Sequence, residues 1–247
     1  MSDVAVLICA SGSSDRFGGK TKKQFEDVNG RAVFLRSLEA FSDRDDVKQI
    51  IVAIPAEDEE IFNIKWADKL GFYGVRHILG GSQRYETVEK LLAEVKEGME
   101  LVAIHDAARP CVTEKQIDAV FSAAAKTGAA ILARRLDGTI KKVDANLTIS
   151  QTVDRRGLFE AQTPQVFKTD IIRKAYQQRD PSNKQITDDA QLVEAIGQPV
   201  TVVEGDSSNL KITNRSDLTL AATILKSQQK PKSKTGPAGP WAAEQAW

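Results

Sequence analysis

Three short segments combine small residues with charged side chains in a pattern suited to phosphate chemistry. The first, residues 10–25, reads ASGSSDRFGGKTKKQF and places Arg16 and Lys23 among glycines and serines. Small residues let backbone amides approach a phosphate, and the basic side chains add charge for a polyphosphate. Neither GxxxxGK[ST] nor GxGxxG is present, so this is not a Walker loop or a dinucleotide fingerprint. The segment is predicted to bind an anion, with a solvated basic loop as the alternative.

The other two segments are shorter. Residues 80–88, GGSQRYETV, bring two glycines, Arg84 and Thr87 to the start of a helix, which alone is a weak signal. In HDAARP, Asp106 ends an apolar run and Arg109 follows it. Asp106 can bind a metal, a ribose or a substrate hydroxyl and Arg109 a phosphate, but a structural Asp–Arg pair is equally open. His105 is expected to be a packed strand-end histidine, because no serine or cysteine nucleophile pattern accompanies it.

The elements that must position these segments alternate in type. Short apolar runs predict strands, and apolar residues at helical spacing predict the helices between them. Such alternation indicates an α/β fold with a mostly parallel, twisted sheet and helices on both faces. Ligands of these sheets bind beyond the carboxyl ends of the strands, where all three segments lie. The predicted strands are 4–10, 47–55, 75–79, 101–106 and 128–133, and the predicted helices are 32–41, 57–70, one through Val88 and Val95, and one through 117–124 behind a Thr113–Gln116 capping box.

The alternation stops after residue 133. Residues 139–143 and 147–153 flank Asp144-Ala145-Asn146 and predict a hairpin, interpreted as an inserted dimerisation arm over about 137–155, with mere decoration as the alternative. Residues 1–225 are expected to form a single domain, and the Lys/Pro/Gly-rich residues 226–247 a disordered tail. The remaining predictions are helices near 169–179, 188–196 and 216–226 and a strand at 199–204.

Composition narrows the class of protein. The formal net charge is zero, and without residues 226–247, which hold four lysines and one glutamate, acidic residues exceed basic ones by three. An acidic body does not suit general nucleic-acid binding. The longest apolar run, 4–10, is far shorter than the roughly 20 residues of a spanning helix, and no basic region precedes it. Two cysteines make neither a disulfide framework nor a zinc site, so a cytoplasmic protein with reduced thiols is expected.

Six motifs in order resemble those of the polyol-phosphate cytidylyltransferase family, above all its branch that acts on 2-C-methyl-D-erythritol 4-phosphate. The resemblance covers about residues 4–225. Its motifs are the first loop with KKQF, GGSQR, HDAARP, TVDR at 152–155, QTPQVF at 162–167, and TDDA at 187–190 with NLKIT at 209–213.

The resemblance implies a Rossmann-like nucleotidyltransferase fold and the transfer of CMP from CTP, helped by Mg²⁺ or another divalent cation, with no metal ligand assigned. By the match, Arg16 and Lys23 stabilise the reacting phosphates, while Arg155 and Lys211 position the acceptor phosphate. A homodimer is expected, in which Thr139 and Arg155 of the hairpin serve the partner's site. The resemblance further places Ala10, Gly12, Gly80, Gly81 and Thr87 around CTP, and Asp106, Arg109, Thr139, Thr163 and Thr187 against acceptor or nucleotide.

Some residues depart from the family's usual pattern. Ser11 stands where Ala is usual, Lys22 replaces a Pro, and one extra residue precedes Thr139. Tyr85-Glu86-Thr87-Val88 leans toward ribitol 5-phosphate as the acceptor, whereas Ala108 and Lys141 favour methylerythritol phosphate.

Two other classes of protein remain to be weighed. A short-chain NAD-dependent oxidoreductase lacks support, because GxGxxG and Tyr-x-x-x-Lys are both missing. A catalytically inactive nucleotide-binding module would not need the reactive set Arg16, Lys23, Arg155 and Lys211.

Overall fold

A computed structural model describes residues 2–14, 17–18, 21–72 and 74–228. This part of the chain contains nine strands and eight α-helices. The strands are β1 (Val4–Cys9), β2 (Val47–Ile54), β3 (Arg76–Leu79), β4 (Leu101–Asp106), β5 (Ala129–Arg135), β6 (Ile140–Val143), β7 (Ile149–Val153), β8 (Phe159–Lys168) and β9 (Thr201–Glu204). The helices are α1 (Val33–Ser42), α2 (Glu59–Phe62), α3 (Asp68–Phe72), α4 (Arg84–Ala93), α5 (Glu114–Thr127), α6 (Thr169–Gln177), α7 (Ala190–Ala195) and α8 (Arg215–Gln228).

Seven strands form one sheet in the order β3-β2-β1-β4-β8-β5-β9. All neighbours pair in parallel except at β8, which runs antiparallel to both β4 and β5. The mostly parallel α/β sheet predicted from the sequence is thereby confirmed. The chain leaves β1 toward β2 and β3 and returns on the other side of β1 as β4. The strand order therefore reverses between β1 and β4, which is where ligands bind in such sheets.

The core has one apolar layer on each face of this sheet. Along β1, Val4, Val6 and Ile8 join the layer under α1 and α5, while Ala5 and Leu7 join the layer under α4 and α6. Burial on both faces explains why β1 is a continuous apolar run rather than an alternating one. A third cluster, under α8, includes Ala108, Cys111 and Ile212. The layers hold the strand ends rigidly, which fixes the positions of the residues that follow them.

Several local predictions are confirmed, with small shifts at the ends of elements. The Thr113–Gln116 capping box is formed: the Gln116 amide donates to Thr113 Oγ1 at 3.3 Å, and the Thr113 amide to Gln116 Oε1 at 3.0 Å. The predicted helix 57–70 is interrupted, with a π-helical segment at Asn63–Ala67 between α2 and α3. The hairpin is present as the separate two-stranded sheet β6-β7.

Two features differ from the pattern in the sequence. No strand is predicted for residues 159–168, yet β8 lies inside the sheet between β4 and β5. Its Gln-Thr-Pro-Gln run lacks the apolar pattern of a buried strand, and proline removes a ladder donor; a shift in the β5-β8 register accommodates it between Ile131 and Ala133. The tail was expected from residue 226, but α8 continues to Gln228, whose Nε2 donates to the Cys111 carbonyl at 3.0 Å. Residues 229–247 lie outside the described residues.

Candidate active site

A cleft of about 700 Å³ opens at the switch point, beyond the carboxyl ends of β1 and β4. In register, Cys9 at the end of β1 pairs with Asp106 at the end of β4. The three segments singled out in the sequence therefore converge, because parallel strands deliver their following loops to one edge of the sheet. The lining includes Ala10, Gly12, Lys23, Gly80, Gly81, Arg84, Asp106 and Lys211.

The first wall is the loop after β1, whose described part is held from within by Gln24. The buried Gln24 side chain donates from Nε2 to the carbonyls of Ala10 at 2.8 Å and Gly12 at 3.1 Å. Its Oε1 accepts from Ser14 Oγ at 3.0 Å. Lys23 follows on a short 3-10 turn and lines the cleft. Arg16, which the resemblance placed beside Lys23, lies outside the described residues.

Lys22 stands where the family usually has proline, and its side chain points toward the turn that follows β2. Its ammonium lies 2.5 Å from Glu57 Oε1 and 2.7 Å from Asp58 Oδ2. These ion pairs raise the pKa of Lys22 against the opposing effect of burial, the largest influence on it. Lys22 therefore ties the loop after β1 to the turn after β2.

The second wall is the Gly80-Gly81 loop before α4, joined to the first by Thr87. The buried Thr87 hydroxyl lies 2.8 Å from Ser11 Oγ and accepts from the Gly81 amide at 3.0 Å. A side chain at position 80 would collide with Ser11, so glycine is required for this close approach. Thr87 does not itself line the cleft; it holds together the two loops that do.

The floor is built around Asp106. Arg84 Nε donates to Asp106 Oδ1 at 3.1 Å, and Lys211 Nζ donates to Asp106 Oδ2 at 2.6 Å. Burial by itself raises the pKa of the Asp106 carboxyl, but Lys211, Arg84 and Arg109 outweigh it and hold that pKa well below its usual range. Asp106 is therefore an anion that holds two cations at the bottom of the cleft.

Behind Asp106 lies a buried hydrogen-bond network that orients it. Thr163 Oγ1 accepts from the Asp106 amide at 3.0 Å and lies 3.2 Å from His105 Nδ1. His105 Nε2 lies 3.1 Å from the Arg109 carbonyl, which can only accept, so the proton sits on Nε2. Burial lowers the pKa of His105 to about 4, so the ring is neutral. The expectation that His105 packs at the strand end is met, and the ring also braces the turn after Asp106.

Arg109 and Thr187 occupy places other than the cleft lining. The buried Arg109 guanidinium donates to the Asn209 carbonyl at 2.8 Å and to the Ala161 carbonyl at 3.3 Å. Those bonds fix the segment that carries Lys211, so of the two readings left open for Arg109 the geometry favours a structural one. Thr187 is exposed before α7, where its amide donates to Gln191 Oε1 at 3.0 Å. Substrate contact by either residue stays a prediction.

The two candidates on the hairpin are separate from the cleft of their own chain. Thr139 and Arg155 flank the β6-β7 sheet, are exposed, and are absent from the lining. The hairpin also exposes three large apolar residues, Val143, Leu147 and Ile149. We use the name arm for residues 137–155 from here on.

Sequence reasoning missed the inner support of the site. The sequence offers Arg84 only within the weak GGSQR motif and Asp189 only within the TDDA motif at 187–190. The structure joins them: Arg84 Nη2 lies 2.8 Å from Asp189 Oδ2. The one signal in the sequence was that each is a charged residue at the end of a predicted element. Whether two such residues meet depends on the order of strands in the sheet, which the sequence pattern does not give.

The fold and the cleft together define an α/β nucleotidyltransferase, because a loop of small residues and two lysines meet at the switch point of a mostly parallel sheet. A sequence model of the 2-C-methyl-D-erythritol 4-phosphate cytidylyltransferases matches residues 4–227. The chain belongs to this family.

Individual relatives agree with this placement. The enzyme of that name from Endomicrobium trichonymphae is 41% identical, over 90% of this chain and 99% of the relative. The one from Rhodopirellula baltica is 41% identical, over 90% of this chain and 94% of the relative. Among solved structures, 4-diphosphocytidyl-2C-methyl-D-erythritol synthase from Anaerococcus prevotii has a TM-score of 0.77 at 30% identity, covering 91% of this chain and 99% of that one.

Within the described residues, no helix combines the length and the apolar character needed to cross a bilayer.

Proposed function

We propose that this enzyme transfers the CMP moiety of CTP to 2-C-methyl-D-erythritol 4-phosphate, giving 4-diphosphocytidyl-2-C-methyl-D-erythritol and pyrophosphate. The family match over residues 4–227 is the observation that carries this proposal. The relatives described above bear the methylerythritol phosphate name rather than the ribitol phosphate one, which favours the first acceptor. The cleft of about 700 Å³ has room for a nucleotide and a small phosphate ester.

The chemistry asks for positioning and charge rather than for a base. The acceptor's phosphate oxygen attacks the α-phosphorus of CTP, and the bond to the pyrophosphate oxygen breaks. Because the nucleophile is already anionic, no proton must be removed from it. We assign to Lys23, together with Arg16, the stabilisation of charge on the transferring and leaving phosphates. Lys211 is at the floor, where its side chain is 37% exposed and its ammonium can reach an acceptor phosphate while bonded to Asp106.

The backbone of the two loop walls suits the nucleotide. Ala10 and Gly12 on one wall and Gly80 and Gly81 on the other present main chain to the cleft, with no bulky side chain between it and a ligand. Main-chain amides and carbonyls can read a pyrimidine edge and a phosphate without charge. Thr87 supports this arrangement from behind by bonding both walls.

A magnesium ion is proposed as part of the nucleotide substrate. The described residues include no group of three or more His, Cys, Asp or Glu side chains able to hold a metal. Asp106, the acid at the floor of the cleft, already spends both oxygens on Arg84 and Lys211. These residues do not fit a resident metal centre, whereas Mg²⁺ commonly enters such sites on substrate phosphates with its own waters. No step is assigned to a protein-held ion.

A homodimer formed through the arm completes the site in this proposal. Val143, Leu147 and Ile149 of the arm and Leu158 beside it are exposed apolar side chains, and a second copy of the chain would cover them. Arg155 and Thr139 do not line their own chain's cleft, so we place them in the partner's, at the acceptor phosphate.

In this proposal residues 1–225 and the end of α8 form one catalytic domain, and residues 229–247 take no part in catalysis. The enzyme works in the cytoplasm. Both cysteines are free thiols, which suits that compartment.

Pyrophosphate release tests the proposal. CTP and Mg²⁺ are offered with methylerythritol 4-phosphate and, in parallel, with ribitol 5-phosphate. We expect release with the first acceptor alone. Release with the second alone would keep the chemistry and overturn the acceptor. Silence with both, with CTP still binding in a titration, would identify an inactive nucleotide-binding module.

Lys23→Ala tests the residue assignment in the same assay. Loss of the ammonium at the phosphates should cut turnover about 100-fold or more, since single charge-stabilising donors contribute on that scale. Lys126→Ala, on the exposed last turn of α5, is the matched control and should keep wild-type turnover. A folded Lys23→Ala protein with wild-type turnover would remove Lys23 from the site.

A further inference from the structure

Arg84 and Asp189 form an enclosed charged pair at the edge of the cleft that the proposed chemistry does not use. Arg84 Nη2 lies 2.8 Å from Asp189 Oδ2, and the Asp189 side chain is fully buried. On its other side, Arg84 Nε donates to Asp106 Oδ1. One guanidinium therefore bridges two carboxylates from separate parts of the fold, Asp189 at the N-cap of α7 and Asp106 at the end of β4.

Asp189 is anchored from every side. The Tyr176 hydroxyl, on α6, donates to Asp189 Oδ1 at 2.7 Å. Gln165, on β8, accepts with Oε1 from the amides of Asp189 and Ala190, both at 3.0 Å. Burying a carboxylate is costly unless it is paired and hydrogen-bonded. Asp189 Oδ1 accepts from Tyr176, whereas Oδ2 lies at ion-pair distance from Arg84 Nη2 and has no hydrogen bond within the described residues. The Asp189 carboxylate is therefore held in one position, unlike a mobile side chain at the surface.

Through Arg84, the fixed Asp189 carboxylate sets the orientation of the Asp106 carboxylate. With Oδ1 held by Arg84, the remaining oxygen Oδ2 is the one presented to Lys211, at 2.6 Å. Lysine has a flexible stem, so the ammonium of a side chain that is 37% exposed at the floor of the cleft loses its fixed position unless something holds it. The alternating chain Asp189–Arg84–Asp106–Lys211 supplies that hold.

We propose that Arg84 and Asp189 are positioning residues, which orient Asp106 and through it keep the Lys211 ammonium at the acceptor side of the cleft. This inference rests on the proposed function, since it deepens the account of the same site. The competing arrangement is that Arg84, which also lines the cleft, touches substrate directly and Asp189 only helps the domain fold.

Asp189→Asn in the full-length enzyme separates these arrangements. Asparagine has nearly the same shape and still accepts from Tyr176, but it cannot pair with Arg84 as an anion. We expect kcat/KM for methylerythritol phosphate to fall about tenfold, with a raised KM, while the Kd of CTP measured without acceptor stays within twofold. Asp180→Asn, an exposed turn residue bonded to Ser182, is the matched control and should behave as wild type. If Asp189 were purely structural, the substitution would lower the fraction of active enzyme and leave the KM for methylerythritol phosphate unchanged. That result would overturn the proposal.

Substitutions of Arg84 supply a second test of this proposal. Arg84→Lys keeps one charge but cannot bridge both carboxylates with a fork, so it should rescue only part of the loss seen in Arg84→Gln. In the Arg84→Gln background, adding Asp189→Asn should have little further effect, because the chain is already broken. Fully additive losses of kcat/KM would show that Asp189 does not act through Arg84.

A readout without substrate keeps this inference separate from the proposed function. Urea unfolding of Asp189→Asn, Lys211→Met and the double variant measures whether the two ends of the chain are coupled. We expect the two shifts in the free energy of unfolding not to add. Additive shifts would overturn the positioning chain even in an active enzyme. Non-additive shifts in an enzyme silent with both acceptors would leave the chain standing and overturn only the function.

Discussion

The floor of the cleft and the arm both carry candidate residues, but only those at the floor are held by side chains of their own chain within the cleft. At the floor, Asp106 and Lys211 are held by each other and by partners behind them. On the arm, Arg155 and Thr139 are exposed, and the strands between them present apolar side chains to solvent. The arm is a two-stranded sheet outside the main one, and such a ribbon has little stability of its own.

The difference teaches how the two regions obtain their precision. The floor uses strand ends and buried hydrogen bonds, so its geometry is set when the domain folds. The arm has no comparable support, so its geometry must come from whatever covers its apolar face. The experiments below break one region at a time and ask whether the other follows.

The largest effect is expected at the floor. Lys211→Met removes the ammonium that we propose to meet the acceptor phosphate and should lower turnover about 100- to 1000-fold, as the loss of a single transition-state donor does. Steady-state pyrophosphate release measures it, with Lys126→Met as control. Turnover within a few fold of wild type would place the acceptor elsewhere.

Arg155→Ala removes the candidate charged side chain at the end of the arm. A mixing experiment then tests whether this side chain serves the cleft of the partner subunit. Alone, the variant should lose about 100-fold in turnover. Refolded together with Lys211→Met, it should recover about a quarter of wild-type turnover, because half of the dimers are mixed and each has one intact site. Absence of recovery would mean that Arg155 serves the cleft of its own chain.

The buried histidine behind the floor makes stability depend on pH. The pKa of His105 is lowered to about 4 in the folded enzyme by burial and returns to about 6.5 on unfolding. The unfolded state therefore binds the extra proton, and stability falls as pH drops from about 6.5 to about 4, by about 3 kcal/mol at most.

Urea unfolding at pH 7 and pH 5 checks this slope. His105→Gln, which cannot titrate, should flatten it, whereas replacing the exposed Lys126 by Gln should not. An unchanged slope in His105→Gln would assign the pH dependence to other groups.

In the homodimer that we propose, the apolar face of the arm should set the strength of association. Leu147→Asn with Ile149→Thr removes two exposed apolar side chains and should weaken dimerisation about tenfold or more, given about 25 cal/mol for each Å² of apolar surface buried. Analytical ultracentrifugation over a dilution series measures it. Val202→Thr, an exposed apolar residue on β9, is the control. Unchanged association would detach the arm from the interface.

The smallest effect concerns the end of the chain. Deleting residues 229–247 should leave both turnover and stability unchanged, since the family match ends at residue 227. Deleting from residue 226 instead removes the last turn of α8 and the bond from Gln228 to Cys111, so the melting temperature should fall by a few degrees. A loss of turnover on the shorter deletion would show that these residues reach the site.

The strand ends and the motifs were predictable from sequence because their signals are local. Apolar runs identify β1, β2 and β4, and parallel strands bring the residues that follow them to one edge. That reasoning places Lys23 and Asp106 in one cleft before any coordinates. It fails for β8, whose polar and proline-containing core carries no strand pattern and becomes a strand only between β4 and β5.

The amino-acid sequence by itself determined the class of fold, the loops that line the cleft and the family of the enzyme. Those properties rest on patterns read over a few neighbouring residues. Tertiary structure alone decided that Asp189 reaches Asp106 through Arg84, that Thr87 joins two loops, and that Arg109 and Thr163 stand behind the lining. These contacts join residues far apart along the chain, and the strand order that brings them together minimises the free energy of the whole sheet rather than of any one segment.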